Sequence, residues 1–245
     1  MYAALTQFLN QVFPTCCMVC NRTIASSYSL CQECEQQLPW MEAHCHGCGL
    51  AFPEAVLVNN RCGQCLSDYA DRGHALDRCH SLFHYSSPLN NLIPAFKFQA
   101  RFDIGHCFAS LMAVKLAAHF HQHGRPDLLL PVPLHYRRYR ERGFNQSWEL
   151  VKTVSRHTAV PCSNTVLLKQ KHTAAQSDLG SARERRRNLT NAFVLHPNCS
   201  LESVTTVTII DDVITTMSTV NNLAGLLKAH GIQGVEAWSI ARAGT

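Results

Sequence analysis

The chain has 245 residues, 46% of them hydrophobic and 16% charged, with thirteen cysteines and a formal net charge of +5. That is enough apolar material for one generous domain or two modest ones, and no stretch approaches the ~18–20 uninterrupted apolar residues of a membrane span. The beginning of the chain lacks the basic region, apolar run and small-residue cleavage site of an export signal, so the expected compartment is the cytoplasm.

Met1–Phe13 reads as a short amphipathic helix that packs on the body of the protein. Four CxxC pairs follow: Cys17/Cys20, Cys31/Cys34, Cys45/Cys48 and Cys62/Cys65, separated by ten, ten and thirteen residues. With no export signal and an odd cysteine count, disulfides are disfavoured. A pair of thiolates two residues apart wraps one ion, and two pairs complete a tetrahedral site. Two structural zinc ions are therefore expected. Sequential pairing gives the shortest loops, with a cross-braced arrangement as the alternative. Cys16, His44 and His46 are expected to stand outside the ligand sets, because a cysteine already occupies each required position. Four-thiolate sites keep no open coordination position, which assigns them to folding, at about 10–16 kcal/mol of apparent binding energy in small zinc modules.

Residues 1–70 form the expected zinc module and carry two Arg and five acids, a net −3. Residues 71–245 carry twenty Lys/Arg and twelve acids, a net +8. A polyanion, whether polyphosphate or nucleic acid, should prefer this second domain. Its pattern alternates strands and helices. Cys79–Tyr85, Asp127–Val132, Thr165–Leu168, Val204–Ile210 and Val235–Ile240 read as strands; Leu89–Phe98, Ile104–His121, Gln146–His157 and Thr219–His230 read as helices. That alternation predicts an α/β fold with a mostly parallel sheet flanked by helices. Such sheets bind ligands beyond the carboxyl ends of their strands.

The most informative segment runs from Val207 to Thr219, where a β-branched strand leads into Asp211 and Asp212, then Thr215, Thr216, Met217, Ser218 and Thr219. Hydroxyls and backbone N–H groups at a helix start make a monophosphate cradle. Two carboxylates beside it suit the vicinal hydroxyls of a ribose or a hydrated Mg²⁺. Together these features describe phosphoribosyl pyrophosphate (PRPP). The alternative is a solvated Asp-Asp pair and hydroxyls that merely cap the helix.

These residues resemble the PRPP-binding loop of type I phosphoribosyltransferases, and the whole chain resembles the ComF/GntX family of competence-associated proteins. The resemblance is carried by the cysteine pairs, Lys97-Phe98, Pro131-Val132-Pro133-Leu134, Arg142-Gly143-Phe144-Asn145-Gln146, Thr173 with Gln176, Arg187-Asn188, Ala192-Phe193 and the Asp-Asp loop. It implies a type I phosphoribosyltransferase fold behind a double zinc ribbon, with Mg²⁺–PRPP on Asp211 and Asp212 and its 5′-phosphate on residues 215–219. It places the pyrophosphate loop at Val132, Pro133 and Leu134, with Arg142 as the best cation for the leaving pyrophosphate. Family members usually carry glycine where this chain has Met217, so steric bulk and about 1 kcal/mol of left-handed strain are expected there. Lys171 to Arg187 corresponds to a flexible hood over the substrate. Arg183, Arg185, Arg186 and Arg187 are alternatively a phosphate-tracking patch for single-stranded DNA. The implied biology is DNA uptake in natural transformation, through transferase chemistry, as a binding module for single strands or the inner-membrane DNA-transport machinery, or as a PRPP sensor without turnover.

Overall fold

The computed structural model describes residues 15–24, 28–72, 75–170 and 192–244. The expected helix Met1–Phe13 and the segment holding Arg183, Arg185, Arg186 and Arg187 lie outside the described residues. The first knuckle is a two-strand antiparallel hairpin, β1 (Thr15–Cys16) and β2 (Thr23–Ile24), followed by the short helix α1 (Gln32–Gln36). A 3-10 turn (Glu54–Val56) and α2 (Gly63–Arg72) complete the second knuckle.

Four strands then form one parallel sheet. They are β3 (Arg78–His84), β4 (Leu128–Pro131), β7 (Thr206–Ile214) and β8 (Gly234–Arg242), in the order β3-β8-β7-β4. The two central strands are buried on both faces, which is why β7 reads as a run of Thr, Val and Ile rather than as an alternation. On one face lie α3 (Leu89–Gln99), α4 (Phe102–His123) and α6 (Gln146–Thr158), packed with Ile210, Trp238 and Ile240. On the other lies α7 (Ser218–Ala229), whose Val220, Leu223, Ala224 and Leu227 meet Val207, Ile209, Val235 and Ala237. α3 and α4 cross closely because Gly105 has no side chain. A Cβ there would stand 2.5 Å from the Phe96 ring.

The expected helices and strands recur with their ends shifted by a few residues, and three features differ. β5 (Leu167–Lys169) is not part of the main sheet: it pairs antiparallel with β6 (Phe193–Leu195), a strand too short to show a period in the sequence. The basic stretch after Leu134 folds as a helix, α5 (Tyr136–Arg142), capped by His135 and ended by Gly143 at φ 82°. Finally, β7 does not end at Ile210. β8 continues beside it, pairing Val213 with Ala241 and Ile214 with Arg242, so the ladder carries the strand past both aspartates. β4 stops at the Pro131–Ile210 pair, and beyond it that side of β7 has no strand neighbour among the described residues.

The cysteine knuckles pack on this sheet. Residues 39–41 run along the outer edge of β3, where Met41 N–H donates to the Leu82 carbonyl (2.8 Å) and His84 N–H to the Pro39 carbonyl (2.8 Å). Trp40 covers Phe83 at a ring separation of 4.5 Å. An edge strand that would otherwise present open hydrogen-bonding groups is thereby covered.

Candidate functional site

The two cysteine clusters form in sequence order. The sulfurs of Cys17, Cys20, Cys31 and Cys34 lie within 4.8 Å of one another, as do those of Cys45, Cys48, Cys62 and Cys65. The Cys20 and Cys31 sulfurs are 3.8 Å apart, close to the edge of about 3.8 Å of a tetrahedron with Zn–S bonds of ~2.3 Å. Backbone N–H groups of Gly47 (3.3 Å) and Cys62 (3.2 Å) point at the Cys45 sulfur, the outer hydrogen bonding that a metal thiolate needs. Both donor sets fit structural zinc. Cys16, His44 and His46 belong to neither cluster.

At the open side of β7 the two aspartates hold different partners. Asp212 is almost fully buried and pairs with Lys97 of α3, Nζ to Oδ1 at 2.9 Å. Its Oδ1 also accepts from Val213 N–H (2.6 Å), while its Oδ2 is buried with no hydrogen-bond partner among the described residues. Asp211 Oδ1 accepts from the Ser147 hydroxyl of α6 (2.9 Å) and from Asp212 N–H (2.9 Å). Burial, followed by the neighbouring Asp212 charge, pushes the Asp211 carboxyl up to about 7, against the opposing pull of Lys97.

Beyond Ile214 come Thr215 and Thr216, both exposed, then Met217 and the first turn of α7. Met217 adopts the left-handed conformation, φ 63°, as the glycine usual at this position would. Its side chain, however, is buried in the core, with the thioether 3.5 Å from the Cys79 sulfur. The methionine therefore carries the backbone strain while its bulk goes into the core. Ser218 and Thr216 share a hydroxyl hydrogen bond (3.0 Å), and Met217, the N-cap residue of α7, offers no side-chain cap. A small hollow of about 30 Å³ lies between Asp211 and residues 213–217, 219 and 220.

The segment expected to hold pyrophosphate sits alongside. Val132 N–H donates to the Ile210 carbonyl (3.0 Å), Asn145 Nδ2 donates to the Val132 carbonyl (3.1 Å), Pro133 is buried and Leu134 is half-buried. Asn145 also caps α6, so one side chain ties the 132–134 turn to the helix carrying Ser147. Arg142 donates to Gln146 Oε1 (2.6 Å) and lies over the Phe98 ring at 5.0 Å. With Lys97, Phe98, Arg138 and Glu141 it lines a cavity of about 470 Å³.

Residue chemistry alone missed Lys97, Ser147 and Lys169. Lys169, on β5, has its ammonium pKa lowered first by burial and then by Arg138, with Asp211 opposing. Their signal was weak for a physical reason: each lies on an element far from Asp211 in sequence, and only the Lys97-Phe98 motif marked any of them.

Arg242 links the site to the second knuckle. It is 5% exposed, donates from Nε to the Cys48 carbonyl (2.8 Å) and from Nη1 to the Ile214 carbonyl (3.1 Å), and reaches the Thr215 carbonyl as well. A residue of the second cysteine cluster and the start of the Thr-Thr turn are thus joined through one guanidinium.

Residues 8–66 match the double zinc ribbon domain family. The chain is 36% identical over 231 residues to competence protein F of Haemophilus influenzae, covering 93% of this chain and 96% of that protein. It is 33% identical to the DNA utilization protein YhgH of Salmonella typhimurium, over 94% of this chain and 97% of that one. Among solved structures, a purine phosphoribosyltransferase from Pyrococcus horikoshii is 13% identical over 55% of this chain and 83% of its own, with a TM-score of 0.36, too slight a likeness to carry an argument. The two full-length sequence matches are another matter, and on them the chain belongs to the ComF/GntX family of competence and DNA-utilisation proteins.

Proposed function

We propose that the α/β domain is of the type I phosphoribosyltransferase kind and binds Mg²⁺–PRPP at the open side of β7, in a protein that serves DNA utilisation. The observation that carries this reading is the junction of β7 with α7. A carboxylate oxygen of Asp212 lies buried with no hydrogen-bond partner among the described residues, and the N-cap residue of the adjoining helix, Met217, makes no side-chain cap. Such a helix start favours a phosphate, and an unsatisfied carboxylate oxygen favours a hydroxyl or a metal-bound water. Asp211 and Asp212 would hold the ribose hydroxyls and Mg²⁺, and residues 215–219 the 5′-phosphate. Val132–Leu134 and Arg142 would receive the pyrophosphate. Bound magnesium supplies charge neutralisation on the pyrophosphate. Calorimetric titration of the zinc-loaded protein with Mg²⁺–PRPP tests the reading: micromolar binding, lost in Asp211→Asn with the fold retained, supports it. Native protein that does not bind, or an Asn variant that binds equally well, sinks it.

A second reading is favoured by one further observation. Phe98 is 72% exposed with the Arg142 guanidinium over its ring, beside Lys97 and Arg138. An exposed aromatic among cations stacks a base of single-stranded DNA while the cations hold its phosphates. The 71–245 segment, net +8, provides the attraction. Its signature is salt-sensitive binding of an oligonucleotide, weakened by Phe98→Ala. Binding indifferent to both salt and this substitution refutes it. Arg183, Arg185, Arg186 and Arg187 are the other candidates for the same strand, and contact with inner-membrane transport proteins stays part of this reading. No helix among the described residues is long and apolar enough to cross a membrane.

A further inference from the structure

Three histidines from two different parts of the fold converge between the second knuckle and the sheet. His44 and His46 flank Cys45, whereas His80 comes from β3. One ring nitrogen from each lies within 4.8 Å of the others. The three ring centroids are 5.0 to 5.3 Å apart.

With neutral rings, the hydrogen bonds place the protons as follows. His44 Nδ1 lies 3.0 Å from the Glu42 carbonyl, which can only accept, so Nδ1 carries the proton. In the neutral ring, His44 Nε2 is then a bare lone pair. It faces His80 Nδ1 at 2.9 Å, so His80 Nδ1 is the donor. That leaves His80 Nε2 as a second bare lone pair, buried and with no hydrogen-bond partner among the described residues. His80 itself is 6% exposed and stacked on Trp238 at 4.7 Å.

We propose that His44, His46 and His80 form a third metal site, separate from the two cysteine clusters, for a divalent ion of the zinc class. Imidazole suits Zn²⁺, Ni²⁺, Co²⁺ and Cu²⁺, and an ion bound by three nitrogens takes its remaining ligands from water. The required rearrangement is small. Tetrahedral Zn–N bonds of ~2.0–2.1 Å set a nitrogen–nitrogen edge of about 3.3 Å, between the 2.9 Å and the 4.8 Å seen here. On binding, His80 moves its proton from Nδ1 to Nε2 with no net release, and Nδ1 takes the metal. A carboxylate stands near the His80 ring to receive the new Nε2–H. Glu236 and His119 each have a ligand atom within 4.8 Å of a His80 nitrogen. Glu236, held by Arg78 (2.9 Å) and His119 (2.9 Å), keeps lone pairs to accept from it. His44 already has the outer hydrogen bond a metal-bound imidazole requires, through Glu42. His44 and His46 are half-buried, so solvent reaches the site from the knuckle side. The ion would clamp that knuckle to β3.

The test is a metal count on full-length protein equilibrated with excess free Zn²⁺, with Co²⁺ loading as a spectroscopic check. One ion beyond those of the two cysteine clusters is expected. In the cobalt form the added ion should bring d–d absorption without a further thiolate-to-metal charge-transfer band. His44→Ala and His46→Ala should each lose that ion and keep the cysteine-held pair, which also certifies their fold, whereas His119→Ala should keep all of them. Glu236→Gln should weaken the added site by about 10–100-fold. A wild-type count that stops at the two cysteine-held ions overturns the proposal. So does an added ion that survives both His44→Ala and His46→Ala, or one whose spectrum shows thiolate ligation by a spare cysteine.

Discussion

Replacing Met217 separates two effects that the structure places on one residue. The backbone sits at φ 63°, where a non-glycine residue is strained by about 1–2 kcal/mol. The side chain is 9% exposed and packed against Cys79, and truncating a buried methionine to alanine costs about 2–5 kcal/mol. Met217→Ala loses the packing and keeps the strain, so the full loss of about 2–5 kcal/mol is expected. Met217→Gly loses the same packing but recovers about 1 kcal/mol of strain, so it should be destabilised less than the alanine variant. At about 2–4 °C per kcal/mol for a chain of this size, alanine should lower Tm by about 4–20 °C and glycine by a few degrees less. Because the side chain turns into the core rather than across the proposed phosphate loop, PRPP affinity should be the same in the native protein and the glycine variant. Thermal unfolding of the zinc-loaded proteins, with calorimetric titration alongside, reads both quantities. A glycine variant more stable than the native protein, or one that binds PRPP tenfold tighter, would show that the methionine obstructs the loop and refute the reasoning.

Asp211 gives a pH prediction. Its folded-state pKa, raised to about 7, lies above the ~3.9 of an unfolded chain. Its contribution to stability is therefore fully present below about pH 4 and is lost as pH rises to about 7. Binding runs the other way: if the ionised carboxylate is the binding form, Mg²⁺–PRPP affinity should rise about tenfold from pH 6 to pH 8, and a flat calorimetric profile would count against it. Breaking the Lys97–Asp212 pair, whose carboxylate is buried and whose ammonium is half-buried, by Lys97→Met or Asp212→Asn should cost up to about 3–5 kcal/mol in urea unfolding, and the double variant should recover part of it. Gly105→Ala should destabilise by about 1–3 kcal/mol, since its Cβ would press on the Phe96 ring; an unchanged midpoint would mean that the helices separate freely.

Periodicity made most of the sheet and its helices legible, because buried parallel strands show as runs such as residues 206–210 and the covering helices keep their apolar stripe. The cysteine clusters were legible for a simpler reason: ligand spacing is local, and sequential pairing follows from loop length. What stayed hidden was non-local. β7 runs on to Ile214 because β8 lies beside it, and nothing in residues 211–214 announces that neighbour. α5 is a seven-residue helix with no buried residue, so it left no apolar pattern. Lys97 and Ser147 reach the aspartates from α3 and α6 through tertiary packing alone. The left-handed turn at Met217 was foreseeable from its place after the Thr-Thr pair, but the direction of its side chain was not, since that depends on Cys79 in β3.

The expected division into a zinc module and a catalytic-type domain understates how the two are built together. His46 O accepts from Cys79 N–H (2.7 Å), and Gly49, at φ 71°, has no Cβ where the Cys79 sulfur would stand 2.9 Å away. Cys79 in turn packs on Met217, and Arg242 bonds both the Cys48 carbonyl and the Ile214 carbonyl at the start of the loop. Two independent routes therefore run from the second cysteine cluster to the proposed phosphate loop, one through packing and one through hydrogen bonds. The hydrogen-bonded route is the stiffer of the two, because losing the guanidinium takes the donor from the Cys48 carbonyl at about 1–3 kcal/mol, although the Ile214 carbonyl keeps Ala243 N–H (3.0 Å). A knuckle that loses its metal loses the geometry of Cys48 and with it the acceptor that holds Arg242. On this structure zinc supports the site from a distance: removing it with a chelator should weaken PRPP binding in native protein. In Arg242→Met the same removal should weaken binding by less, because only the packing route through Cys79 and Met217 is left to lose.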